Sequence, residues 1–130
     1  MADLYGTGEH HNKKTTAYVN TGLAVVEKRC VILVAEPNLV GPASVATTAI
    51  FGIAMWGAAA DLPVTVVQSG DVLCEAGAVI AMNAELATNA NGKLVTAVAT
   101  NHVVGRALTS AAADADIFLA EIYESGWKLP

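Results

Sequence analysis

Val104 to Ile122 reads VGRALTSAAADADIFLAEI, and Phe51 to Val67, fifty-three residues earlier, reads FGIAMWGAAADLPVTVV. Without a gap, Gly52 falls on Gly105, Ala54 on Ala107, Ala58 to Ala60 on Ala111 to Ala113, and Asp61 on Asp114. Each copy runs glycine, a short apolar stretch, three alanines, an acidic corner, then a β-branched and apolar run. That order predicts two strands joined by a compact connection, with corners at Asp61-Leu62-Pro63 and Asp114-Ala115-Asp116. A helix through the alanines is the rival, since alanine is the best helix former. Three alanines followed at once by Asp-Leu-Pro are too few to overcome the cost of nucleation. A repeated β unit therefore sets the expected fold.

Working outward, Cys30-Val31-Ile32-Leu33-Val34-Ala35 lies between a charged turn and Pro37-Asn38 and reads as a buried strand. Asn89-Ala90-Asn91-Gly92-Lys93 separates two apolar runs, and its Asn-Gly pair suits a type I′ hairpin turn. Met1 to Gly22 differs in kind: it is polar, with Leu4, Tyr5, Tyr18 and Val19 as spaced apolar residues. Such a stretch cannot bury enough surface to order itself, so it reads as a tail or as an arm ordered by a partner. The expectation is an all-β protein: a small duplicated β-sandwich or barrel-like body over residues 23–124. An extended N-terminal arm over 1–22 and a short tail over 125–130 flank it.

Composition narrows function. The chain has 130 residues, enough for one domain with its own core. It is 54% hydrophobic but only 5% aromatic, so small aliphatic side chains must build that core. The formal charge is −5, and Lys13-Lys14 and Lys28-Arg29 are isolated pairs; nucleic-acid binding, which needs clustered cations, is not expected. Met1 to Asn20 has no apolar signal-peptide core. The most apolar window is interrupted by Gly52, Gly57, Asp61 and Pro63, which argues against a membrane helix. The expectation is a soluble protein, intracellular where it is made.

No constellation for chemistry is found. Glu9-His10-His11 lacks metal-ligand spacing, because neighbouring residues of a strand point opposite ways. Cys30 and Cys74 stand apart in apolar runs and read as buried thiols. Neither has a nearby base, and Gly6-Thr7-Gly8 lacks the strand and Gly-Lys-Ser/Thr of a phosphate loop. No catalytic residue, cofactor or metal is expected. Trp56 and Trp127 are the large aromatics that a contact surface, or a sugar-stacking module, would use.

Glu75 to Ile122, with its Ala-Gly start, Asn-rich Gly turn, Val-Gly-x-Ala-Leu run around Arg106, alanine stretch and closing apolar strand, resembles the tailed-bacteriophage capsid cement, or head decoration, family. GIAMWGAAADLPVTVVQSG is similar to the first half of those proteins, so the likeness spans roughly 22–122. The resemblance implies a non-enzymatic virion protein. It would be made in the bacterial cytoplasm and bound to the outer capsid surface as a homo-oligomer, a trimer above all. It would bridge subunits of the major capsid protein. The contact residues then expected are Leu4, Tyr5, Lys13, Lys14 and Tyr18 on the arm, with Trp56, Arg106 and Trp127 on the body. The alternative is a small ligand- or carbohydrate-binding β module, or a tail or baseplate component.

Overall fold

The computed structural model describes residues 12–130, which form nine strands and, among the described residues, no helix. They are β1 (Lys13–Val19), β2 (Cys30–Ala35), β3 (Leu39–Pro42), β4 (Gly52–Ala54) and β5 (Pro63–Glu75), then β6 (Glu85–Thr88), β7 (Leu94–Thr96), β8 (His102–Ala107) and β9 (Ile117–Lys128). The all-β expectation holds. Neighbour order is β1-β3-β2-β4-β5-β9-β8-β6-β7, and β1 also pairs with β5. The first five strands therefore close into a barrel, and β5 continues past Gly70 to start a second five-stranded unit with β6 to β9.

The two units match strand for strand. In the first, Cys30 pairs with Ile53 and Val31 with Gly52; in the second, Glu85 pairs with Arg106 and Leu86 with Gly105. Ile53↔Val67 and Ala54↔Val66 correspond to Arg106↔Glu121 and Ala107↔Ala120. The β1–β5 ladder, from Tyr18↔Pro63 to Lys14↔Val67, recurs between β5 and β9 as Glu75↔Ile117 to Asp71↔Glu121. Even the isolated bridges agree, Val25 with Ala58 and Ile80 with Ala111. Both alanine triplets are thus short connections anchored by one bridge. The duplication embraces nine strands, with β5 serving as the last strand of one copy and the first of the next.

Side chains alternate as strands require. Ala17, Val19, Val31, Val40, Val64 and Val66 fill the first barrel. Leu86, Leu94, Val104, Phe118, Ala120 and Ile122 fill the second, joined by Cys30, Ala43 and Ile53 of the first unit. Those three leave their own barrel and seal the neighbouring one, so the halves form one body. Gly52 and Gly105 occupy equivalent crossings. A Cβ at either would stand 2.3 Å from the carbonyl oxygen of Val67 or Glu121, closer than any real contact.

Three expectations are corrected. Lys13–Val19 is not part of an arm but a strand of the first barrel. Its polar outer face hides how Ala17 and Val19 on the other face join the core. Likewise Ser125–Lys128 is not a tail, because β9 continues through it, with Val103 opposite Trp127. The loop at Asn91-Gly92 is a hairpin tip but not a two-residue type I′ turn: only Gly92 has a positive φ, of 76°. The Asn89 N–H donates to the Lys93 carbonyl, and the Asn89 Oδ1 accepts from Asn91 and Lys93 backbone N–H groups. This is a three-residue hairpin loop with glycine at its left-handed position.

The units differ where each closes on itself. In the first, the Tyr18 N–H donates to the Asn38 carbonyl at 3.0 Å. At the equivalent seam of the second, Lys28 to Cys30 enters between the strands. The Glu75 N–H donates to Lys28 O at 2.9 Å, and the Cys30 N–H donates to Gly92 O at 2.7 Å. The insertion brings Arg29 to Glu75, and Glu75 also meets Lys93.

Candidate functional site: three uncovered surfaces

The described residues gather no group of three or more potential metal ligands. The two buried cysteines are free thiols, and burial pushes Cys30 up to about 12, which removes the thiolate a nucleophile needs. What this body offers is surface.

The first surface is an open strand edge. β2 pairs with β4 only at Cys30 and Val31, so beyond them, among the described residues, only β3 pairs with it. The run read as a buried strand is buried only at its start. Leu33 is 52% exposed and Val34 43%, because the hairpin extends past the end of β4. Leu33 lines the shallow grooves on either side, one formed by Val34 to Asn38 and the other by Ile32 and Thr48 to Phe51. An uncovered edge with aliphatic side chains is a template for another chain.

The second surface is the outer face of β1, β5 and β4. Lys14, Thr16 and Tyr18 point outward opposite Val67, Thr65 and Pro63, and the Met55 N–H donates to the Thr65 carbonyl. The third is the equivalent face in the second unit, made by β5, β9 and the end of β8. There Asp71, Leu73 and Glu75 stand opposite Glu121, Leu119 and Ile117, and the Leu108 N–H donates to Leu119 O. Leu73 and Ile117 are each about half exposed. These leucines went unnoticed in the sequence because VLC and IFLA are apolar at consecutive positions. A run apolar on both faces reads as core, although here no described strand covers one face.

Of the expected contact residues, Leu4 and Tyr5 lie outside the described residues. Lys13 is ion-paired with Glu124 at the start of β1. Lys14 and Tyr18 share the second surface, and Trp56 follows Met55 as an exposed residue. Arg106 donates to Glu121 at 2.9 Å, which holds the guanidinium above its ordinary value. Trp127 lies apart, its ring stacked on Tyr123 with centroids 5.3 Å apart. The structure brings Lys14 and Tyr18 onto one face, leaves Trp56 next to Met55 at its border, and puts Arg106 and Trp127 on the second unit.

A family model described as phage cement protein matches residues 10–122. The chain belongs to that family. Cement proteins are structural, and the chain is accordingly a structural protein of a phage head. No curated protein sequence matches it. Among solved structures it is similar to the N base of the head fiber gp8.5 of bacteriophage phi29. The TM-score is 0.68 at 17% identity, covering 88% of this chain and 96% of that one. At that identity the likeness concerns the fold.

Proposed function

We propose that this cement protein binds the outer surface of the assembled head and bridges neighbouring major capsid protein subunits, as a homo-oligomer of three chains made in the host cytoplasm. The observation that carries the reading is the open edge of β2. A family member of this size exposes Leu33 and Val34 beside strand backbone that no described residue pairs, and a capsid segment can add there as a further strand. Lys14, Tyr18, Trp56, Arg106 and Trp127 lie away from that edge, where further capsid or sister chains would sit.

The test is co-sedimentation with heads that lack the protein. Wild-type chain should bind and raise the temperature at which heads disrupt. Leu33→Asp should fold normally yet bind about tenfold more weakly, the loss of one buried aliphatic plus an unpaired charge at the edge. Wild-type chain that stays in the supernatant would end the cement reading. Equal binding by the variant would move the contact away from β2.

A further inference from the structure

The second and third surfaces are the same face of the same unit, seen twice. Position for position, Lys14 corresponds to Asp71, Thr16 to Leu73, Thr65 to Leu119, Pro63 to Ile117 and Met55 to Leu108. One version carries a cation and a mixed polar and apolar surface. The other carries an anion and a cluster of four large aliphatic side chains. Among the described residues neither the Lys14 ammonium nor the Asp71 carboxylate has an ion-pair partner. Both are exposed and sit on the outer side of the strands.

We infer that the two faces are partners across chains: the leucine face of one molecule lies on the Tyr18–Met55 face of a second copy, with Asp71 of one chain meeting Lys14 of the next. The inference rests on the homo-oligomeric reading above and specifies its contact. Leu73 and Ile117, each about half exposed beside the partly buried Leu108 and Leu119, call for cover on a small acidic body, as exposed apolar patches mark contacts. The opposite charges at corresponding positions select what covers them. A contact between unlike faces sets Asp71 against Lys14, whereas a contact between like faces leaves each of them without that counter-charge. Unlike faces make a heterologous contact, which closes into a ring when the rotation per subunit allows. The ion pair sits at the rim, where it fixes register and partner choice more than it adds affinity. Tyr18 and Met55 supply the apolar area that faces Leu73, Leu119 and Ile117.

The experiment uses full-length chain without capsids. Its mass is followed by light scattering and sedimentation across a concentration series at low and moderate salt. Wild-type chain should self-associate. Asp71→Lys and Lys14→Glu should each weaken association about tenfold, and the double variant, with the charges exchanged, should recover most of it. Leu119→Glu should abolish association while its circular dichroism stays that of a β protein. The proposal is overturned by a wild-type chain that remains monomeric at every concentration. Single variants indistinguishable from wild type, or a double variant no better than the singles, would equally overturn it. Head binding is read separately, so a chain that binds heads as a monomer sinks this contact and leaves the cement reading standing. Loss of head binding by Leu119→Glu with self-association unchanged would assign the leucine face to the capsid, and the inference would fail.

Discussion

Where the first half of this protein carries Ile53, the second carries Arg106; where the first has Cys30 and Val67, the second has Glu85 and Glu121. Backbone pairing at the two places is the same, and the side chains are opposite in character. The difference lies in what comes next in space. Cys30 and Ile53 face the second unit and are sealed in its core. The corresponding face of the second unit meets water and bears an ion pair. Positions fixed by backbone geometry did not diverge in that way. Gly52 and Gly105 keep the same close crossing. Lys28 and Asn83, Asn38 and Gly92, and Asp61 and Ala115 share a positive φ at matching places. One frame is retained because its hydrogen bonds require it, while burial decides the side chains.

The strongest way to break the comparison is to exchange its two ends. Ile53→Arg places a charge with no partner into the sealed junction and should cost about 4 kcal/mol or more, enough to unfold much of the chain at room temperature. Arg106→Ile makes the reverse change at the same place in the frame and should leave the unfolding midpoint unmoved, since that side chain is solvated and its ion pair is exposed. Denaturant titrations of both variants decide it. Comparable losses would mean that the second face is buried by something the two-unit picture omits.

The glycines give a smaller effect that should be symmetric. Gly52→Ala and Gly105→Ala each drive a methyl group onto a carbonyl oxygen of the adjacent strand and should cost about 1–3 kcal/mol apiece. Gly57→Ala, whose Cβ would meet nothing closer than 3.4 Å, is the control and should be tolerated. If one glycine proves costly and its counterpart neutral, the two crossings are not under the same constraint.

These contrasts show why only part of the design was legible in sequence. The stretch from Gly52 to Ala58 aligned with Gly105 to Ala111 because both copies keep one spacing there. The corner already slips by one, so the positive-φ residue Asp61 answers Ala115 rather than Asp114. Elsewhere the copies differ in loop length, so that Val31 answers Leu86 but Tyr18 answers Glu75, and a gapless comparison loses them. β1 was hidden for another reason. Lys14, Thr16 and Tyr18 are its solvent side, and the inner side, Ala17 and Val19, is too small to announce a strand among so many polar neighbours. The contact residues fared least well. Chemistry leaves a signature in residue type, whereas an uncovered leucine differs from a buried one only in what surrounds it.

The gentlest probe concerns the junction, which only the second unit possesses. Glu75 stands where the first unit has Tyr18. It accepts from the Arg29 Nε at 2.8 Å across the junction and lies 3.4 Å from the Lys93 ammonium. The Arg29 hydrogen bond, with the nearby Lys93, holds its carboxyl below the ordinary value of 4.5. A carboxyl depressed in the folded state contributes stability that is fully present above its unfolded value and is lost as pH falls through the folded one. Thermal melts should therefore be flat from neutrality down to about pH 5 and then lose a contribution from this group as the pH drops further. Because solvent reaches part of the cluster, the effect should stay below about 1 kcal/mol. Glu75→Gln keeps a hydrogen-bond acceptor for Arg29 but cannot titrate, so its melting temperature should depend less steeply on pH below 4.5 than that of the wild type. Tyr18→Gln, at the matching seam of the first unit, should leave the acid slope as it is. An acid slope identical in Glu75→Gln and wild type would show that the inserted Lys28–Cys30 segment is held by its backbone hydrogen bonds alone.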